Sequence, residues 1–305
     1  MTKKNRNCFF AFFIVALPFL IFLGFLIYYL LVPPLPPLPP IQPLPNPNGY
    51  DDLVKAGQMV SDNTGAYESL NESQLRELVS ANAEALSHAR TGLSNECRVP
   101  LQFSQNYLTN HIHDEIGLRN LAQAFVAEGK LAEKENRFGD AAKSYLDAIR
   151  LGNESARGGT IVDGMIGVAI NSLGAEQLQK LTDSLDEKSC RETTATLEIL
   201  AAQRQTWADI MQQEDAWSRR TFSSLHIAYY KLLYYRTRER NYQRCIDTIK
   251  SLQHDENQLI IDLAARAYEL DKGHLPASAA DLVPDYLKAV PQDPFTGTNM
   301  VYSPR

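Results

Sequence analysis

The chain has 305 residues, with 30 basic and 36 acidic side chains and a net charge of −6. Apolar residues make up 44% and charged residues 22%, which excludes a wholly disordered chain and a polytopic membrane protein. Without Lys3, Lys4 and Arg6 the remainder carries 27 basic against 36 acidic residues, or −9, which argues against nucleic acid as a partner and gives no electrostatic reason to lie on anionic lipid.

Cys8 to Val32 is 25 residues without a charge, seven of them Phe. A helix of that length spans about 37 Å, enough for a hydrocarbon core of roughly 30 Å with some tilt. A cleaved signal peptide would have a shorter apolar region and a small-x-small site, and here the stretch runs straight into Val32-Pro33-Pro34. The sequence therefore predicts an uncleaved signal anchor over 8–32, the protein's contact with the membrane. Three positive charges precede the span and no charge follows before Asp51, so residues 1–7 are expected in the cytoplasm and everything after Val32 outside it.

Nine of the sixteen prolines fall between Pro33 and Asn48. Proline fixes φ and removes a backbone donor, so residues 33–49 are expected to form a polyproline II spacer. From Gly49 to Leu275 the only proline is Pro100, and helix periodicity fills the interval. Asn71-Glu72-Ser73-Gln74 offers a capping box ahead of Leu75, Leu78 and Val79. Later runs carry Ile116, Leu118, Leu121 and Phe125; Leu197 and Leu200; Leu225, Tyr229, Leu232 and Leu233; and Leu259, Ile260, Leu263 and Ala267 before Gly273. The expected fold is mainly α: one N-terminal transmembrane helix, a proline-rich stalk, an all-α array of eight or nine helices over 50–273, and an irregular tail over 274–305 packed on it.

Within that array Phe125, Gly129, Phe138, Ala141, Tyr145 and Ala148 have the spacing of one tetratricopeptide repeat, with small residues at the crossing and aromatics in the groove. The segment 127–153 resembles most of one such unit, which implies a helical hairpin. Arg157-Gly158-Gly159-Thr160 lacks the Lys-Ser/Thr of a phosphate loop and no strand precedes it, so Gly164 and Gly167 read as a close-packing face and no cofactor is expected. In the tail, Gly273, Pro276, Asp293-Pro294-Phe295 and Tyr302 resemble the end of the major pseudopilins of type II secretion, which implies a component of a secretion apparatus. Gly24-Phe25, however, lies inside the apolar span with no Glu after it, unlike a pilin processing site. The anchor, "ARGGTIVDGMIGVAI" (156–170), "EDAWSRR" (214–220) and the Asp-Pro-Phe tail together look like a group of planctomycete-type bacterial membrane proteins without an assigned activity. That resemblance implies an extracytoplasmic bacterial setting.

Chemistry is sparse, and no residue is assigned as catalytic. The densest ligand-capable cluster is His111, His113 and Glu115; His111 and Glu115 share a helix face and offer two metal ligands. A helix starting near Thr109 with acids in its first turn would explain the same residues through its dipole. Cys97, Cys190 and Cys245 allow one disulfide and a free thiol, or three buried thiols. Residues 219–244 hold seven basic side chains against Glu239, interleaved with five tyrosines. Arg219, Arg220, Tyr229, Tyr230, Arg236, Arg238 and Arg240 are candidate interaction residues; alternatively Tyr229 and Leu233 face the core and the arginines pair with acidic neighbouring helices. The sequence is read as a non-enzymatic, membrane-anchored module that binds an envelope protein, with an envelope hydrolase using a metal near His111 as the alternative.

Overall fold

The computed structural model describes residues 16–31, 37–61 and 64–302. The chain divides into two units, Met1–Ile41 and Gln42–Arg305. In the first, α1 (Leu17–Leu31) has 15 residues, all apolar or aromatic apart from the hydroxyls of its two tyrosines. Its length is about 22 Å. Among the described residues no helix is long and apolar enough to cross a membrane. The predicted N-terminus (1–7) and residues 8–15 and 32 of the predicted span lie outside the described residues.

The second unit is helical, as the periodicity predicts. Nine α-helices follow one another among its described residues: α2 (Gly49–Met59), α3 (Glu72–Ala81), α4 (Ala83–Leu93), α5 (Tyr107–Lys134), α6 (Phe138–Ser155), α7 (Ile161–Leu181), α8 (Glu187–Gln203), α9 (Trp207–Thr221) and α10 (Ser224–Lys272). No strand occurs among the described residues beyond an isolated bridge between Gln292 and Asn299. The capping box forms at Asn71, whose side chain accepts from Gln74 N while the Gln74 side chain accepts from Asn71 N. Gly273, at φ 76°, ends α10 in the left-handed conformation that favours glycine.

The start of the unit is fixed by Asn48. Its Oδ1 accepts from Arg98 N at 2.9 Å and Tyr50 N at 3.3 Å, and its Nδ2 donates to Arg98 O at 2.9 Å. Gly49 N donates to Glu96 O at 2.9 Å. Arg98 in turn reaches Gln42 Oε1 at 2.6 Å, so the last part of the proline-rich segment belongs to this unit.

α5 runs through the middle and pairs with α6 in the expected hairpin. Phe125, Ala141, Tyr145 and Ala148 are fully buried there. A Cβ on Gly129 would lie 2.3 Å from the Tyr145 ring, and Tyr145 donates its hydroxyl to Glu133. Glycines also set the neighbouring crossings. A Cβ on Gly152 of α6 would meet Gly167 O of α7 at 2.5 Å, and one on Gly57 of α2 would meet the Gly117 backbone of α5 at 2.7 Å. These contacts are to backbone, which cannot swing aside, so the helices sit closer than any side chain allows. Gly167 thus packs as its spacing predicts.

The second half of α10 lies on α8 and α7, with Ile249, Leu252, Leu259, Ile260, Ile261, Leu263, Ala264 and Ala267 buried. Arg204 closes this region through a buried ion pair with Glu256 and a bond to Asn153 Oδ1. The tail returns to the core through Leu282, Tyr286, Leu287 and Met300, with the Arg191 guanidinium 4.1 Å above the Tyr286 ring. Cys97, Cys190 and Cys245 are free thiols. The first two are buried and pushed up to about 12 by burial.

Candidate functional site

Two regions of the second unit carry chemistry, and a row of aromatic rings joins them. The first is a buried polar cluster where α2, α5 and α7 meet. α5 begins at Tyr107, two residues before the expected start, so Asp114 and Glu115 lie beyond its first turn and the helix dipole does not account for them. His111 is buried. Its Nε2 lies 3.0 Å from Asp163 Oδ1 and 3.2 Å from the Tyr50 hydroxyl, and its Nδ1 lies 3.4 Å from Asp114 Oδ2. The Tyr107 ring stacks on the imidazole at 4.9 Å.

Asp163 is placed by the start of α7. Its Oδ2 accepts from Thr160 N at 2.6 Å and Thr160 Oγ1 at 2.7 Å, which satisfies a backbone donor that the helix leaves open and turns Oδ1 toward His111. Glu115, one turn beyond His111, completes the group: ligand-capable atoms of His111, Glu115 and Asp163 all lie within 4.8 Å of one another. His113 is exposed and belongs to no part of the cluster, because two residues along a helix rotate a side chain by about 200°.

The cluster is crowded with acid. Burial, followed by the charge of Asp163, pushes the Glu115 carboxyl up to about 7. For His111, burial lowers the pKa but the hydrogen bond and charge of Asp163 outweigh it, so the imidazolium is favoured. Burial and then the Asp163 charge also raise Tyr50 and Tyr107, keeping both phenols neutral. The Tyr107 hydroxyl is fully buried without a hydrogen-bond partner among the described residues.

The second region is the start of α10. From Tyr107 a chain of rings runs through Trp217 at 5.9 Å, Phe222 at 5.7 Å, His226 at 4.9 Å, Tyr230 at 4.9 Å and Tyr234 at 5.1 Å. Trp217 is held by its Nε1–H donating to Gln102 O at 2.9 Å. From His226 onward the rings stand at successive i, i+4 positions on one face of α10.

That face is not core. Tyr229 is 60% exposed and Leu233 55%, so the reading that turned them inward is overturned: among the described side chains of α10, none before Ile249 is buried. Tyr230 and Tyr234 are exposed as well. Of the candidate arginines, Arg219 pairs with Asp215 one turn back at 3.1 Å, Arg220 lies over the Phe103 ring, and Arg238 lies over the Tyr242 ring while donating to its hydroxyl at 2.8 Å. Arg236 and Arg240 are exposed on the helix.

A cavity of about 640 Å³ is separate from both regions and is lined by Arg98, Arg150 and Arg157 together with Glu96, Glu154 and Asp209. Arg157 is already paired with Glu154 at 2.7 Å. The chain matches no family model, no curated protein and no solved structure.

Proposed function

We propose that the protein is a membrane-tethered, non-enzymatic helical module of the bacterial cell envelope that presents the first half of α10 to an acidic protein partner. The observation that carries this reading is the exposed row of Tyr229, Tyr230, Leu233 and Tyr234, interleaved with Arg236 and Arg240, on a body that is otherwise acidic. Aromatic and arginine side chains are the residues that contribute most at protein interfaces. A +6 island on a −9 body favours a partner of opposite sign and steers its approach.

The tether rests on the charge-free stretch 8–32 and on the positive charges that precede it, which support a cytoplasmic N-terminus and a helical unit outside the inner membrane. The resemblance of the chain's ordered motifs to planctomycete-type membrane proteins agrees with that setting.

Photocrosslinking in intact cells tests the docking surface. A crosslinker at position 230 or 234 of the full chain is expected to capture one acidic envelope protein, and Arg236→Glu with Arg240→Glu to abolish the adduct. A crosslinker at exposed Ile199 on α8 serves as the control; equal capture there, or none at 230 and 234, overturns the reading. For the tether, protease added to spheroplasts is expected to digest the helical unit, and a mature chain starting beyond Val32 would refute it.

A further inference from the structure

The buried cluster between α5 and α7 has features that the docking function does not use. Three carboxylates, Asp114, Glu115 and Asp163, gather around a single imidazole. Asp163 is satisfied on one oxygen by Thr160 and on the other by His111. Glu115 is different: among the described residues no hydrogen bond or ion pair reaches its carboxylate, although it faces Asp163 and His111. The Tyr107 hydroxyl, on the ring stacked against His111, is fully buried, has no hydrogen-bond partner among the described residues, and lies in the field of Asp163, Glu115 and Asp114. A buried hydroxyl left unbonded has lost its water without a replacement, so such groups are rare without a reason. Excess negative charge beside an orphaned hydroxyl is the pattern expected where a cation and its water complete the network.

We propose that His111, Glu115 and Asp163 bind one divalent transition-metal cation, Zn²⁺ or Mn²⁺, through imidazole Nε2 and two carboxylate oxygens. The mixed nitrogen and oxygen donor set suits these ions and excludes a thiolate-dependent site. The geometry is within reach. Donor atoms about 2.1 Å from a shared cation lie roughly 3.0–3.4 Å apart, and Nε2 and Oδ1 of the pair already stand at 3.0 Å. Glu115 closes the remaining distance by a side-chain rotation that breaks no bond. Binding displaces the imidazole Nε2 proton, and any proton on the Glu115 carboxyl, to solvent, and the cation takes the place of the Nε2 contacts to Asp163 and to the Tyr50 hydroxyl. The Tyr107 hydroxyl then has a metal-bound water to pair with. Thr160 acts on Asp163 from behind, as a positioning residue that fixes the carboxylate's orientation.

The test uses the full chain in detergent, stripped with chelator and then titrated separately with Zn²⁺ and with Mn²⁺. One of the two is expected to bind at one equivalent and to raise the melting temperature, and the better-binding titration identifies the ion. Glu115→Gln keeps the size of the side chain and loses no hydrogen bond, so its metal-free melting should match that of the unaltered chain while its affinity falls about tenfold or more. His113→Gln, outside the cluster, is expected to bind as the unaltered chain does. Absence of saturable binding of either ion, or equal affinity in the Glu115→Gln and His113→Gln variants, overturns the site whatever becomes of the docking surface.

Discussion

Residues 224–248 and 249–272 belong to one unbroken helix, yet the two halves are stabilised by different means. The second half buries a continuous apolar stripe against α8 and α7, and Arg204 locks onto Glu256 within it. The first half buries no described side chain and is supported along its own length, by Ser223 accepting from His226 N at its start, by stacked rings four residues apart, and by Arg238 on Tyr242. Contacts of that local kind are worth a few tenths of a kcal/mol each, whereas full burial of one leucine contributes about 1.5–3 kcal/mol. A continuous backbone therefore does not imply uniform stability. The half without a core keeps its shape because the packed half supplies an already nucleated helix for it to extend.

The sharpest way to break the contrast is to remove a partner from the packed half. Arg204→Met leaves Glu256 charged and buried without its guanidinium and is expected to lower stability by about 3–5 kcal/mol in denaturant unfolding; a loss under 1 kcal/mol would show that solvent already reaches the pair. Leu263→Ala, at a fully buried position, is expected to cost about 2–5 kcal/mol by the same measurement. Amide hydrogen exchange sharpens the comparison without mutation: protection at 259–267 should approach the global unfolding free energy, while amides of 226–240 exchange by local opening. Uniform protection along α10 would mean that something covers its first half. Thiol alkylation of the native protein should modify half-buried Cys245 before Cys97 and Cys190, because those two are buried and burial pushes their thiols up to about 12; equal rates at these three would contradict the burial. The smallest effect belongs to Tyr234→Ala, expected to change stability by no more than about 0.5 kcal/mol, since its side chain stands in solvent.

Much of the architecture was legible because helices announce themselves locally. The Asn71 to Gln74 box, the Gly273 stop, and the Gly129 and Tyr145 hairpin each depend on residues close in sequence, and each forms as expected. The alternative that turned Tyr229 and Leu233 of α10 inward fails for a physical reason. Leu225, Tyr229, Leu232 and Leu233 have the same period as Leu259, Ile260 and Leu263, and periodicity reports that a stripe exists without reporting what covers it. The interleaved arginines at 236, 238 and 240 were the available signal that this stripe is not core.

At the cluster, His111 and Glu115 were visible as an i, i+4 pair. Asp163 and Tyr50 were not, because they lie 52 and 61 residues from His111 along the chain and meet it only when α7 and α2 pack on α5. His113 attracted notice for its residue type and failed on helix geometry. The aromatic row from His111 to Tyr234 was also invisible as a whole, since it passes from α5 through α9 before reaching the exposed face of α10.

The fastening at Asn48 has a mechanical consequence. Any tension arriving through the proline-rich segment enters the helical unit at a residue whose single side chain holds both the amide and the carbonyl of Arg98, next to the Gly49 amide bond to Glu96. Force is shared among several bonds at once, and they must rupture together before the first turn of α2 can be drawn out.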